Sequence, residues 1–106
     1  MKPRPDTLKT ITKRIKTGCG NLYVTVAEPD QDYHEIYGTL GKCGGCAGGF
    51  LEVISTLATL AINEGVEMDR IIKAMHGVRC PQDSAILPSC PTAMAKIMRE
   101  RYGGED

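Results

Sequence analysis

Leu22-Tyr23-Val24-Thr25-Val26-Ala27 decides the fold. Leu22, Val24 and Val26 alternate with Tyr23 and Thr25, the period of two that gives a strand one apolar and one polar face. Upstream, Ile11 to Thr17 also reads as a strand, and Gly18-Cys19-Gly20 between the two runs supplies a turn. Downstream, Glu28-Pro29-Asp30-Gln31-Asp32 reads as a second turn, and Tyr33 to Leu40 is a third alternating run with Ile36, Gly38 and Leu40 on one face. The first forty residues therefore predict a three-stranded antiparallel meander, whose apolar face needs a cover.

The remaining sequence supplies that cover at helical spacing. Ala47, Phe50, Leu51, Ile54, Leu57, Ala58, Ala61 and Ile62 form one apolar stripe that starts near Gly45 or Cys46 and stops at Gly65. Met68, Ile71, Ile72 and Met75 predict a second short helix ending at Gly77. Ser89 is a good N-cap for a third, with Pro91 in its first turn and Ala93, Met94, Ile97 and Met98 as its apolar side. Strands followed by helices belong to the α+β class, here three strands and then three helices packed on one face of the sheet. The 106 residues read as a single domain, with residues 1–9 an extended lead and 103–106 a disordered tail.

Composition narrows the function classes. Thirteen Lys and Arg balance thirteen Asp and Glu, so no net positive field favours a nucleic acid or an anionic membrane, and neither is expected as a partner. No stretch reaches the length of a membrane span, and Met1-Lys2-Pro3-Arg4-Pro5 lacks the apolar run of a secretory signal, which predicts a cytoplasmic protein. With no Trp and only Phe50 among the phenylalanines, the core must be aliphatic and thin. Folding such a chain costs about 100–200 kcal/mol of conformational entropy, so a bound metal or a partner subunit would widen the margin of stability.

The five cysteines carry the chemical signal, because an odd number in a reducing compartment points to metal or redox chemistry rather than to disulfides. All five lie at predicted element boundaries: Cys19 between the first two strands, Cys43 and Cys46 at the entry to the first helix, Cys80 after the second helix, and Cys90 at the entry to the third. Glycines flank Cys19 and precede Cys46, and Pro81 and Pro91 follow Cys80 and Cys90, so the chain can turn sharply and present sulfur. Cys46 and Cys90 fall at helix N-termini, where free N–H groups and the helix dipole suit a thiolate. Cys43-Gly44-Gly45-Cys46 is a CxxC, a spacing shared by zinc sites and thiol–disulfide enzymes. A tetrahedral zinc site takes four ligands, which leaves one cysteine spare without saying which. His34 and His76 lack a chelating partner at short spacing and read as structural, and the methionines of the second and third helices read as core or subunit contact. Lys42 and Arg79, beside Cys43 and Cys80, read equally as thiolate or phosphate partners and as solvated charges.

Thr17-Gly18-Cys19-Gly20-Asn21-Leu22-Tyr23-Val24-Thr25, Leu40-Gly41-Lys42, Gly44-Gly45-Cys46, Gly77-Val78-Arg79-Cys80-Pro81 and Ser89-Cys90-Pro91 together resemble the TSCPD domain over nearly the whole chain. That family is named for a Thr-Ser-Cys-Pro-Asp motif and occurs at the C-terminus of adenosylcobalamin-dependent ribonucleotide reductases and in small free-standing proteins. Here the motif is Pro88-Ser89-Cys90-Pro91-Thr92, different at both ends, and Thr92 removes a carboxylate from the helix start. The resemblance implies Cys19, Cys46, Cys80 and Cys90 as a metal set, with Cys43 as the spare. The order of the cysteines is also similar to that of U-type iron–sulfur scaffolds, which makes an iron–sulfur cluster the alternative to zinc.

The resemblance implies an accessory to a ribonucleotide reductase large subunit rather than a catalyst, since the chain is too short for the barrel, radical cofactor and nucleotide site of such an enzyme. No residue is assigned a catalytic or organic-cofactor role. Three functions follow: a zinc module that orders or docks a reductase tail, a thiol relay using Cys43 with Cys46 or Cys80 with Cys90, and an iron–sulfur carrier. A homodimer is compatible with each.

Overall fold

The computed structural model describes residues 3–18, 20–41, 45–78 and 89–102, with the backbone alone at 45–47. Three strands, β1 (Thr10–Thr17), β2 (Gly20–Ala27) and β3 (Ile36–Leu40), precede three helices, α1 (Gly45–Asn63), α2 (Met68–Met75) and α3 (Cys90–Tyr102). The sheet is antiparallel in the order β1-β2-β3, the expected meander. Ile15 pairs with Leu22 and Leu22 with Leu40, while Val26 stands between Ile11 and Ile36, so the apolar residues of all three strands share one face. Arg14, Tyr23 and Thr39 line up on the other. β3 is shorter than its alternating run, because the preceding residues make other bonds: Ala27 N–H donates to the Glu35 carbonyl, and the His34 backbone is bound by a side chain of α1.

α3 lies across the apolar face. A Cβ at Gly38 would stand 2.8 Å from Met94 Sδ, so the missing side chain is what lets α3 settle on β3. Met94 and Met98 are fully buried with Leu22, Val24, Val26, Ile36 and Ile72, which makes the core aliphatic and thioether, as the composition requires. Lys13, on the covered face of β1, reaches past the core to pair with Glu100 of α3 at 3.0 Å.

α1 runs along the free edge of β3 and bonds it through side chains. Ser55 Oγ accepts the Gly38 N–H at 3.0 Å, Thr59 Oγ1 accepts the Ile36 N–H and donates to the Ile36 carbonyl at 3.0 Å each, and Asn63 does the same for His34. Four residues of helix rise about 6 Å and two residues of strand about 6.6 Å, so a helical i, i+4, i+8 row keeps step with alternate residues of a strand. An edge that would otherwise expose unpaired backbone is thereby closed.

Two sequence expectations for α1 need correction. Phe50 and Leu57 do not cover the sheet; both are exposed, whereas Leu51, Ser55 and Ala58 are buried. The helix turns its hydroxyl and amide row toward the edge of β3, and that rotation carries Phe50 and Leu57 to the outside. The helix ends hold as read. Gly65, at φ +98°, closes α1 with Gly65 N–H bonded to Ile62 O at 3.1 Å and Val66 N–H to Ala61 O at 3.0 Å, the paired bonds of a Schellman motif. Ser89 caps α3, its Oγ accepting the Thr92 N–H at 3.3 Å.

Candidate metal centre

Register brings the segments that flank the cysteines to one end of the sheet. β1 and β2 stay paired as far as Thr17 opposite Gly20, so the connection between them is two residues long, Gly18 and Cys19. Gly20, at φ +120°, takes a backbone conformation that favours glycine. The buried Thr17 donates its hydroxyl to the Gly20 carbonyl at 2.8 Å and lies 3.7 Å from Cys90 Sγ. Either group can donate in that contact.

β3 delivers the next segment to the same end. Leu40 pairs with Leu22, and Gly41 N–H continues the ladder to the Asn21 carbonyl at 2.9 Å, so the chain enters the α1 connection beside the β1–β2 turn. The stretch between α2 and α3 is pinned at both ends: Ser89 Oγ bonds the Val78 carbonyl, and Thr92 Oγ1 accepts the Gly77 N–H at 3.1 Å. Thr92 thus joins the end of α2 to the start of α3, a role that its place in the motif did not reveal.

Among the four cysteines of the expected set, the side chain of Cys90 is the one described, in the first turn of α3 and 7% exposed. Cys19, Cys43 and Cys80 lie outside the described residues, as do Lys42 and Arg79, and of Cys46 the backbone alone is described, at the second position of α1. Among the described residues no three His, Cys, Asp or Glu side chains are grouped as a metal would require. Neither α1 nor α3 carries an acidic residue in its first turn that would oppose a negative sulfur there.

The histidines stand elsewhere. His34 packs edge-on against the Tyr102 ring at 5.6 Å, and the exposed His76 closes α2 through its N–H to Ile72 O at 2.9 Å. Tyr102 donates to the Ala27 carbonyl, and burial, reinforced by Glu28 and opposed by Arg101, pushes its pKa up to about 12. Thr17 was the residue that sequence reading passed over: it stands in the quoted motif, but its contact with Cys90 spans 73 positions.

Among the described residues, no helix is long and apolar enough to cross a membrane. No curated protein and no solved structure matches the chain. The sequence profile of the TSCPD domain matches residues 1–102, from the lead through the whole sheet to the end of α3, and the chain belongs to that family.

Proposed function

We propose that the protein is a noncatalytic zinc module of the cytoplasm, accessory to an adenosylcobalamin-dependent ribonucleotide reductase and so to the supply of DNA precursors. In this reading Cys19, Cys46, Cys80 and Cys90 hold one zinc as thiolates, and Cys43 is spare. The observation that carries it is the contact of Cys90 with Thr17, which sets the start of α3 against the turn bearing Cys19. The ladder from Gly41 to Asn21 and the tie from Ser89 to Val78 support it, because they hold the chain ends leading to Cys46 and Cys80 at the same side. Four thiolates would satisfy tetrahedral zinc and tie the hairpin, α1, the 79–88 segment and α3 into one body.

The residues of this chain would do the positioning. Thr17 orients the Cys90 sulfur, Gly20 permits the tight turn, and the start of α3 supplies N–H groups and dipole that favour the charged sulfur. Burial of Cys90 works against its use as an exchanging thiol, which favours a structural role over a relay through Cys80 and Cys90.

The test is elemental analysis with a thiol count on protein purified without oxygen, for wild type, Cys43→Ser and Cys46→Ser. One zinc per chain, kept in Cys43→Ser and lost in Cys46→Ser, is the expected result. Absence of metal together with a disulfide that forms and reduces reversibly overturns it in favour of a thiol relay, and a coloured, oxygen-sensitive protein in favour of an iron–sulfur carrier.

A further inference from the structure

α1 packs one side against the sheet and presents apolar side chains on the opposite side. Leu51, Ser55 and Ala58 face the sheet and core, while Phe50, Val53, Leu57 and Leu60 on the far side are 66%, 55%, 58% and 40% exposed. At 100° per residue these four fall within about 80° of one another, a single continuous seam. Glu52 is the sole charge among the 19 residues of the helix, and it lies about 120° round from the centre of the seam. A contiguous exposed apolar patch of this kind often marks an interaction site.

We infer that the cover is a second copy of this chain, with the two α1 helices packed antiparallel along this seam. The intervals between the four residues are three, four and three, a row that reads the same in both directions. An antiparallel pair therefore sets Phe50 against Leu60 of the second copy and Val53 against Leu57, around a two-fold axis at the level of Ser55. Glu52 meets no like charge in that arrangement, since its opposite number is the turn at Ala58. Thr56, at the margin of the seam, already donates its hydroxyl to the Glu52 carbonyl at 2.9 Å, so covering it strands no polar group.

The area is sufficient. The four side chains expose about 400 Å² of apolar surface per copy, and with Gly49 and Thr56 at the margins the pair buries about 1,000 Å² in total, the lower bound for a specific interface. An interface of that size sits at the weak, transient end of specific association. The four seam residues themselves carry no charge.

Sedimentation equilibrium of the full chain under reducing conditions, from about 2 to about 500 µM, tests the inference across that range. The expected result is a monomer–dimer equilibrium whose dissociation constant rises at least about tenfold in Val53→Glu and in Leu60→Glu. Both substitutions keep good helix formers at exposed positions, and unchanged circular dichroism and urea midpoint verify that each variant is folded. A photoreactive benzoylphenylalanine placed at Phe50 should join the peptide that contains Leu60 of the second copy. A wild-type chain that stays monomeric throughout overturns the inference and leaves the face to a different protein. A dimer that neither substitution weakens, or a cross-link from Phe50 to any other segment, overturns the antiparallel pairing.

Discussion

The carboxamide of Asn63 takes the place of a fourth strand: its Oδ1 accepts the His34 N–H at 3.0 Å, and its Nδ2 donates to the His34 carbonyl at 2.7 Å. One side chain at the last residue of α1 thus satisfies both backbone groups of a residue on the open side of the sheet. The same Nδ2 also donates to the Thr59 carbonyl at 2.8 Å, which fixes the amide rotamer.

Replacing Asn63 with Leu keeps the branched outline of the side chain and removes both bonds to His34 together with the bond to Thr59. With the His34 backbone groups left unpaired at a part-buried site, a loss of about 2–3 kcal/mol is expected, measured as a fall in the urea midpoint at unchanged m-value. Asn63→Asp retains the acceptor alone and should lose less. Amide exchange locates the effect, with His34 accelerated well beyond the β1–β2 pairs. Equal acceleration throughout the sheet would mean that the ladder does not act locally.

Those bonds also show where sequence reading stopped. Leu22, Val24 and Val26 paired as their alternation requires, and Gly65 and Ser89 ended and began helices because their roles are local. Ser55, Thr59 and Asn63 looked like gaps in an apolar stripe, since periodicity fixes which residues share a side but not what that side meets. Phe50 and Leu57 were assigned to the core for the same reason. At the candidate site Cys46 and Cys90 stand at the starts of α1 and α3, as their places in the sequence predict. Thr17 was not legible, because its partner Cys90 is delivered only when α3 crosses the sheet.

Gly38 carries a close approach of a different kind. Val at this position would push into Met94, which is fully buried and cannot swing into solvent. A loss of about 1–3 kcal/mol is expected from overpacking, and the Gly38→Val/Met94→Ala double variant should recover part of the strain while adding the cost of a cavity. Urea unfolding of the single and double variants as a cycle separates the two contributions.

Tyr102 makes the fold sensitive to alkali. Burial raises its pKa from the usual 10.0 to about 12 in the folded chain, so the folded state holds the phenol proton more tightly than the unfolded state does. The stabilisation is fully present below pH 10 and is lost as pH climbs toward 12. Wild type should therefore lose stability more steeply than Tyr102→Phe across that interval, measured as the difference in urea midpoint at each pH. Every other group is common to both proteins, so the difference between the two is the quantity to read. Parallel curves would show that the phenol is not held neutral by the fold.

Thr17 tests the proposed metal site without altering a ligand. Its hydroxyl lies 3.7 Å from Cys90 Sγ and is bound to the Gly20 carbonyl at 2.8 Å, so Thr17→Val removes the contact with sulfur and the brace across the turn together. Loss of an outer partner of a metal ligand lowers affinity about 10–100-fold, the fall expected here. Competition against a zinc chromophore gives the affinity directly, and Thr17→Ser should restore most of it. If zinc binds wild type and Thr17→Val with equal affinity, Cys90 is not a ligand, and the contact serves only to pack α3 against the turn.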